Sequence, residues 1–280
     1  MARLALAVWL LFFPMILKPS SRGGVGIGEH VGTCAQLRAL RASHAYNWAS
    51  KPAWVEADCP EIEFVPMAWG GYGTGWEARA IERDWLATHP QSYILVLNEP
   101  NVPYQANLTC EEAGRNVERY GNDLWADYPE ARLVIGGIFT TDYNGASVWV
   151  GRDYAECMVA NMDAATYARI AGWHWHYYPF ATGDPGLAKA NIAELAAWTH
   201  AQGKVFWLSE IGLIGWAAAW PDSVKEPWMR EMVRWLEDSG VVDRWAWFIA
   251  QCDPIWPCPQ TLELWDANGI TKWGQIYSGR

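Results

Sequence analysis

Apolar runs alternate with amphipathic stretches along this chain. Eight segments read as strands, over residues 24–28, 43–48, 63–69, 93–97, 133–139, 172–178, 205–208 and 244–249. Several are apolar at consecutive positions, as strands covered on both faces are. Between them the pattern changes to helical spacing. Thr74 to Glu77 has the form of a capping box opening a helix that ends before Pro90, and Thr109 to Glu112 opens another that runs to about Asp127. Leu187 to Gln202 carries an apolar face through Ile192, Leu195, Ala196 and Trp198 and stops at Gly203; Trp228 to Asp238 repeats this, with Gly240 beyond its end. Strands alternating with helices imply parallel βαβ units, and eight of them in about 250 residues is the size of a (β/α)8 TIM barrel. A doubly wound open sheet is the alternative. The expected barrel has a short second crossover, since only about a dozen residues separate its second and third strands. Without a linker beyond residue 22, residues 23–280 are expected to form a single domain.

The N-terminus departs from this pattern. Arg3 precedes an apolar run from Leu4 to Leu17, interrupted by Pro14 and followed by Lys18. The run is short for a bilayer span, so residues 1–22 read as a signal peptide, with a membrane anchor as the alternative. A secreted or extracellular protein is expected, periplasmic or membrane-anchored in the alternatives, touching a membrane only if this segment is kept. The six cysteines agree with export: none forms a C-x-x-C pair, and Cys252 and Cys258 flank a Pro-rich loop they would staple. Six cysteines allow fifteen connectivities, so the other pairings stay open. Asn107 to Thr109 is a glycosylation sequon.

The net charge of −10 excludes nucleic acid and anionic membrane surfaces as partners and leaves room for a neutral one. The 21 tryptophans exceed what a core needs, because every buried indole N–H requires an acceptor. Most are structural, and the remainder would line a groove with flat faces suited to sugar rings. A polysaccharide or oligosaccharide is therefore the expected partner, acted on by a monomer.

Two strand-like runs end abruptly in a glutamate. Tyr93 to Leu97 leads into Asn98 and Glu99, and Val205 to Leu208 leads into Ser209 and Glu210. The carboxyl ends of parallel strands are where such folds place their chemistry, and two carboxyls there form an acid/base pair of the kind that cleaves glycosidic bonds. His174, His176 and Tyr178 alternate along one strand and share a face near Glu210. His174 reads as a satisfied core histidine; His176 or Tyr178 would hold Glu210 ionised by donating to it. Asn47, Trp48, Trp69 and Trp247 fall at or near strand ends and are candidate cleft residues. No metal is expected, because the His174/His176 pair lacks a third ligand at suitable spacing. No cofactor is expected either: the glycines of Gly24 to Gly28 are misplaced for a dinucleotide fingerprint, and no Gly-x-Ser-x-Gly elbow occurs.

At Ala45 to Trp48, Phe64 to Gly70, Leu97 to Asn101, His176 to Tyr178 and Trp207 to Glu210, the chain resembles the Asl1-like glycoside hydrolases, family 128 of the retaining (β/α)8 clan. The tail from Gly269 to Tyr277 also fits the family's ending. The resemblance implies that Glu99 is the general acid/base, that Glu210 is the nucleophile, and that Asn98 binds the sugar 2-hydroxyl. It implies a retaining glycoside hydrolase working by double displacement on β-glucan, with endo-β-1,3-glucanase as the leading expectation. The alternatives are the same chemistry on another β-glycan, a noncatalytic carbohydrate-binding barrel, and a structural surface protein anchored by residues 4–17.

Overall fold

The computed structural model describes residues 23–28, 31–49, 59–71, 78–142, 147–254, 258 and 261–279. The leader-like segment, the Thr74 to Glu77 capping box and most of the second crossover lie outside the described residues. The barrel strands are β1 (Gly23–Gly26), β2 (His44–Tyr46), β3 (Glu63–Phe64), β4 (Met67–Ala68), β5 (Tyr93–Val96), β6 (Arg132–Thr141), β7 (Gly172–Tyr178), β8 (Val205–Ile211) and β9 (Arg244–Trp247). They form one parallel sheet in the order β3-β2-β1-β9-β8-β7-β6-β5-β4. β3 and β4 are two pieces of one barrel strand, interrupted at Pro66, which has no N–H to give a ladder. The ring closes across that break: Val65 N donates to Ala45 O on β2, and Leu95 N of β5 donates to Pro66 O, both at 3.0 Å. The result is the α/β barrel expected from the strand pattern.

Helices cover the outside. They are α1 (Cys34–Leu40), α2 (Ala78–Thr88), α3 (Cys110–Asp127), α4 (Ser147–Ala160), α5 (Ala164–Arg169), α6 (Pro185–Ala201), α7 (Gly215–Ala218), α8 (Asp222–Asp238) and α9 (Lys272–Tyr277). The expected capping box opens α3: Thr109 Oγ1 accepts from Glu112 N, and Glu112 Oε2 accepts from Thr109 N. α8 begins earlier than its apolar face suggested, and carries Pro227 inside it. Three disulfides join Cys34 to Cys59, Cys110 to Cys157 and Cys252 to Cys258, the last being the staple expected from spacing. No helix among the described residues is long and apolar enough to cross a membrane.

Side chains alternate across the barrel wall with the period of a strand. Ala45, Ile94, Val96, Phe206, Leu208, Trp245 and Trp247 point outward into the layer under the helices. Tyr46, Leu95, Trp207 and Ala246 point inward and fill the barrel with Val65, Met67 and Val134. At the amino-terminal end the Arg244 guanidinium lies over Tyr93 and Trp207 and pairs with Glu63 at 2.7 Å, closing the bottom of the barrel. The inward phase on β7 selects His174, His176 and Tyr178, so the three share a face directed at the opposite, carboxyl end.

Candidate active site

Glu99 reaches the barrel mouth through two residues of unusual backbone. Leu97 has φ 73° and Glu99 φ 45°, both left-handed. By alternation Leu97 should face inward, but it packs in the outer layer, fully buried, and the turn carries Glu99 over the mouth. Glu99 N then donates to Gly137 O at 2.8 Å. Gly137 permits this approach. It sits at a bulge in β6 with φ 56°, and a Cβ there would stand 2.8 Å from both Leu97 O and the His174 ring.

Glu210 is turned to the mouth by a bulge: Phe206 and Leu208 point outward, so strict alternation would send Glu210 outward too, but the register of β8 slips by one residue between Leu208 and Glu210. One of its oxygens, Oε1, accepts from Trp48 Nε1 at 2.8 Å and from the Tyr46 hydroxyl at 3.1 Å. The other, Oε2, accepts from the Tyr178 hydroxyl and lies 3.2 Å from His176 Nδ1. The same Nδ1 is 2.9 Å from Glu99 Oε1. One oxygen of each glutamate and His176 Nδ1 all lie within 4.8 Å of one another. Two carboxyls far apart in sequence are thus gathered around a single imidazole.

The environment separates the two carboxyls. Both are buried, with Glu99 8% and Glu210 4% exposed. Burial lifts the Glu99 pKa to about 8. Burial also raises Glu210, with the nearby Glu99 adding to it, while His176, Tyr178 and Trp48 pull it down. Trp48, Tyr46 and Tyr178 all donate to Glu210, whereas among the described residues the Glu99 carboxyl meets only His176. A proton shared by the pair therefore resides on Glu99, and the negative charge on Glu210. Burial holds the His176 imidazole below its usual range, so the ring is neutral and carries one proton. Its Nε2 is buried without a hydrogen-bond partner among the described residues, which puts that proton on Nδ1, between the carboxyls. His174 is the core histidine expected: it meets Ser209 Oγ at 2.8 Å and Val96 O at 3.2 Å, and burial drops its pKa to about 3.

Of the residues singled out from sequence, Glu99, Glu210, Trp48, His176 and Tyr178 meet directly. Asn98 and Asn47 are buried beside them. Asn98 Nδ2 donates to Gln105 and Asn47 Oδ1 accepts from Ala49 N; among the described residues Asn98 Oδ1 and Asn47 Nδ2 have no partner. Trp69 follows β4, half-buried against the inner cluster that holds Tyr46. Trp247 does not reach the cleft. It points outward, fully buried, and its Nε1 donates to Leu262 O at 3.1 Å, so it is a structural tryptophan. Tyr46 was not singled out for the site, although it lies in the same β2 motif as Asn47 and Trp48. The inward phase of β2 was the signal that would have found it.

The glycosyl hydrolase catalytic core family matches residues 27–277. The chain belongs to this family. No curated protein matches this glycoside hydrolase by sequence. Among solved structures it is similar to a family 128 (subgroup III) curdlan-specific exo-β-1,3-glucanase from Blastomyces gilchristii in complex with glucose, at TM-score 0.69 and 21% identity over 92% of this chain and 97% of that one. It is similar to a subgroup II endo-β-1,3-glucanase from Pseudomonas viridiflava, at TM-score 0.66 and 25% identity over 92% and 97%. A subgroup I endo-β-1,3-glucanase from Amycolatopsis mediterranei in complex with laminaritriose aligns at TM-score 0.62 and 21% identity over 92% and 99%. These matches agree with the resemblance carried by the five sequence motifs.

Proposed function

We propose that this glycoside hydrolase is a retaining endo-β-1,3-glucanase in which Glu99 is the acid/base and Glu210 the nucleophile. The observation that carries this reading is the separation of the two carboxyls. Oxygens within 4.8 Å of each other suit the roughly 5–5.5 Å arrangement of retaining enzymes and leave no room for the water of an inverting one, which needs about 6.5–9.5 Å. In the first step Glu210 attacks the anomeric carbon while Glu99 gives its proton to the departing glycosidic oxygen. The second step reverses the roles: Glu99, now ionised, takes a proton from water, whose oxygen displaces Glu210 from the anomeric carbon. Asn98 and Asn47 offer their unpaired polar atoms to sugar hydroxyls, with Trp48 and Trp69 beside them. The β-1,3-glucan substrate and internal cleavage are supported by the Pseudomonas viridiflava endo-β-1,3-glucanase, 25% identical over nearly the whole chain.

Residues 23–280 form the catalytic domain in this reading, and residues 1–22 direct it out of the cell. Three disulfides support an oxidising destination. The test is to incubate the purified chain with a panel of β-glucans and follow product size and anomeric configuration by chromatography and proton NMR. Internal cleavage of β-1,3-glucan with initial release of the β-anomer is expected. Release of the α-anomer would overturn the mechanism, and inactivity on β-1,3-linked chains would overturn the substrate.

A further inference from the structure

Two phenylalanines at the mouth are not explained by core packing. Phe139 and Phe180 are half-buried, and among the described residues they neither belong to nor pack against the two apolar clusters of the barrel. They pack instead on the site. Phe139 pairs in register with His176, so its ring shares the face that carries the catalytic constellation. That ring stacks on Tyr178 at 5.9 Å between centroids, and Tyr178 donates to Glu210. Phe180, in the loop after β7, lies 6.1 Å from Phe139 at an interplanar angle of 35°.

Both rings are held by side chains that bond to the backbone at or next to them. β5 ends at Val96, leaving Phe139 without a strand neighbour on that side. The Asn101 side chain takes the neighbour's place: its Oδ1 accepts from Phe139 N and its Nδ2 donates to Phe139 O, each at 3.0 Å. Asp142 does the same for the next loop. Its Oδ1 accepts from Phe180 N at 2.6 Å and Ala181 N at 2.8 Å, and its Oδ2 from Thr182 N at 3.2 Å. Two large apolar rings are thus fixed, partly exposed, beside a site for a polar ligand. A β-linked glucose ring carries its hydroxyls equatorially and offers apolar C–H faces, which such rings fit.

Resting on the proposed function, we infer that Phe139 and Phe180 form a stacking platform for the leaving-group portion of the glucan. The side follows from connectivity. Glu99 protonates the departing oxygen, so the leaving half lies toward Glu99, and the residue that clamps Phe139 is Asn101, on the Glu99 loop. The platform sets how many sugars are bound beyond the scissile bond, and so where a chain is cut.

The experiment is to digest a reducing-end-labelled hexamer of β-1,3-linked glucose with the wild-type chain, Phe139→Ala, Phe180→Ala and the volume-retaining Phe139→Leu and Phe180→Leu, after matching their far-UV spectra and melting curves. Wild type should release labelled fragments of two or more sugars. The variants should shift release toward labelled glucose, with kcat/KM lower by about tenfold, as loss of one ring-face contact gives. If an alanine variant does not fold, its leucine counterpart carries the test. Unchanged products and kcat/KM in folded variants, or a shift toward longer labelled fragments, would overturn the platform while leaving the enzyme reading intact. A wild type that cleaves no β-1,3-glucan would overturn that reading itself.

Discussion

Nδ1 of His176 hydrogen-bonds to Oε1 of Glu99 at 2.9 Å and lies 3.2 Å from Oε2 of Glu210. The neutral ring has one proton to offer and two carboxyls to receive it. Its hydrogen bond runs to Glu99, while its proximity lowers the pKa of Glu210, the carboxyl to which Trp48, Tyr46 and Tyr178 already donate. Replacing His176 by Phe removes this donor. The nucleophile's ionised form is then less stabilised, so the acid limb of the kcat/KM–pH profile should move up by roughly one unit, with activity on the acid side of its midpoint falling about tenfold. A limb that stays in place would show that the ring only fills space.

Glu99 and Glu210 should fail in different ways. Glu210→Gln removes the attacking group, and activity should fall by at least about 10³-fold on any substrate. Glu99→Ala removes proton donation, worth about 10²–10⁴-fold where the departing group is a sugar alcohol. A nitrophenyl laminarioside needs little protonation, so its first step should survive in Glu99→Ala. Added azide, which needs no base, should then accelerate turnover and yield the β-glycosyl azide. Equal losses on both substrates, without azide rescue, would reverse or void the assignment.

Tyr46 makes a similar test on the other side of the nucleophile. Its hydroxyl lies 3.1 Å from Glu210 Oε1 and 3.0 Å from Ser209 O. Tyr46→Phe keeps the ring in the barrel interior and deletes the donor. A fall of about tenfold in kcat is expected, from a hydrogen bond to a charged group worth about 1.5 kcal/mol, with little change in KM. Steady-state kinetics at fixed pH measures both parameters; a change in KM alone would place Tyr46 in substrate binding instead.

The strands were legible because barrel strands, covered on both sides, are apolar at nearly every position. That same property hid their phase. In β9, Trp245 and Trp247 both face outward around an inward Ala246, and nothing in Trp-Ala-Trp says which side is which; Trp247 was therefore assigned to the cleft. On β7 the phase was readable, since histidines alternate with tryptophans and a polar set points to the mouth. Short α1 offered too few turns for a periodic pattern. The left-handed residues Leu97 and Glu99 follow from a tertiary contact with Gly137 and leave no local signature. The two strand-end glutamates were legible through their motifs, and His176 as a neighbour of Glu210, but the hydrogen bond that brings the same imidazole to Glu99 was not.

Disulfide removal should rank by the length of chain each bridge closes. Cys110–Cys157 spans 47 residues, Cys34–Cys59 spans 25 and Cys252–Cys258 spans 6. Loop-closure entropy gives about 4, 3.5 and 2 kcal/mol respectively. Denaturant titration of the three paired Cys→Ser variants should reproduce this order, and the Cys252/Cys258 variant should be the least affected.

A buried carboxyl held neutral also has a consequence for stability. Glu99 titrates near 4.5 in the unfolded chain and at about 8 when folded. Below about pH 4.5 it is protonated in both states, and its burial is not penalised by charge. As pH rises toward 8 the unfolded chain ionises Glu99 while the folded one cannot, so stability drains away over that window and levels off above it. Glu99→Gln never ionises and escapes this loss. The variant and the wild type should therefore melt at similar temperatures near pH 4.5, whereas at pH 8 the variant should melt higher by several degrees, the shift expected from a few kcal/mol. Calorimetry across that range decides it. A constant difference between the two proteins from pH 4.5 to 8 would mean that Glu99 is ionised at neutral pH in the folded enzyme, and would remove the acid from the proposed mechanism.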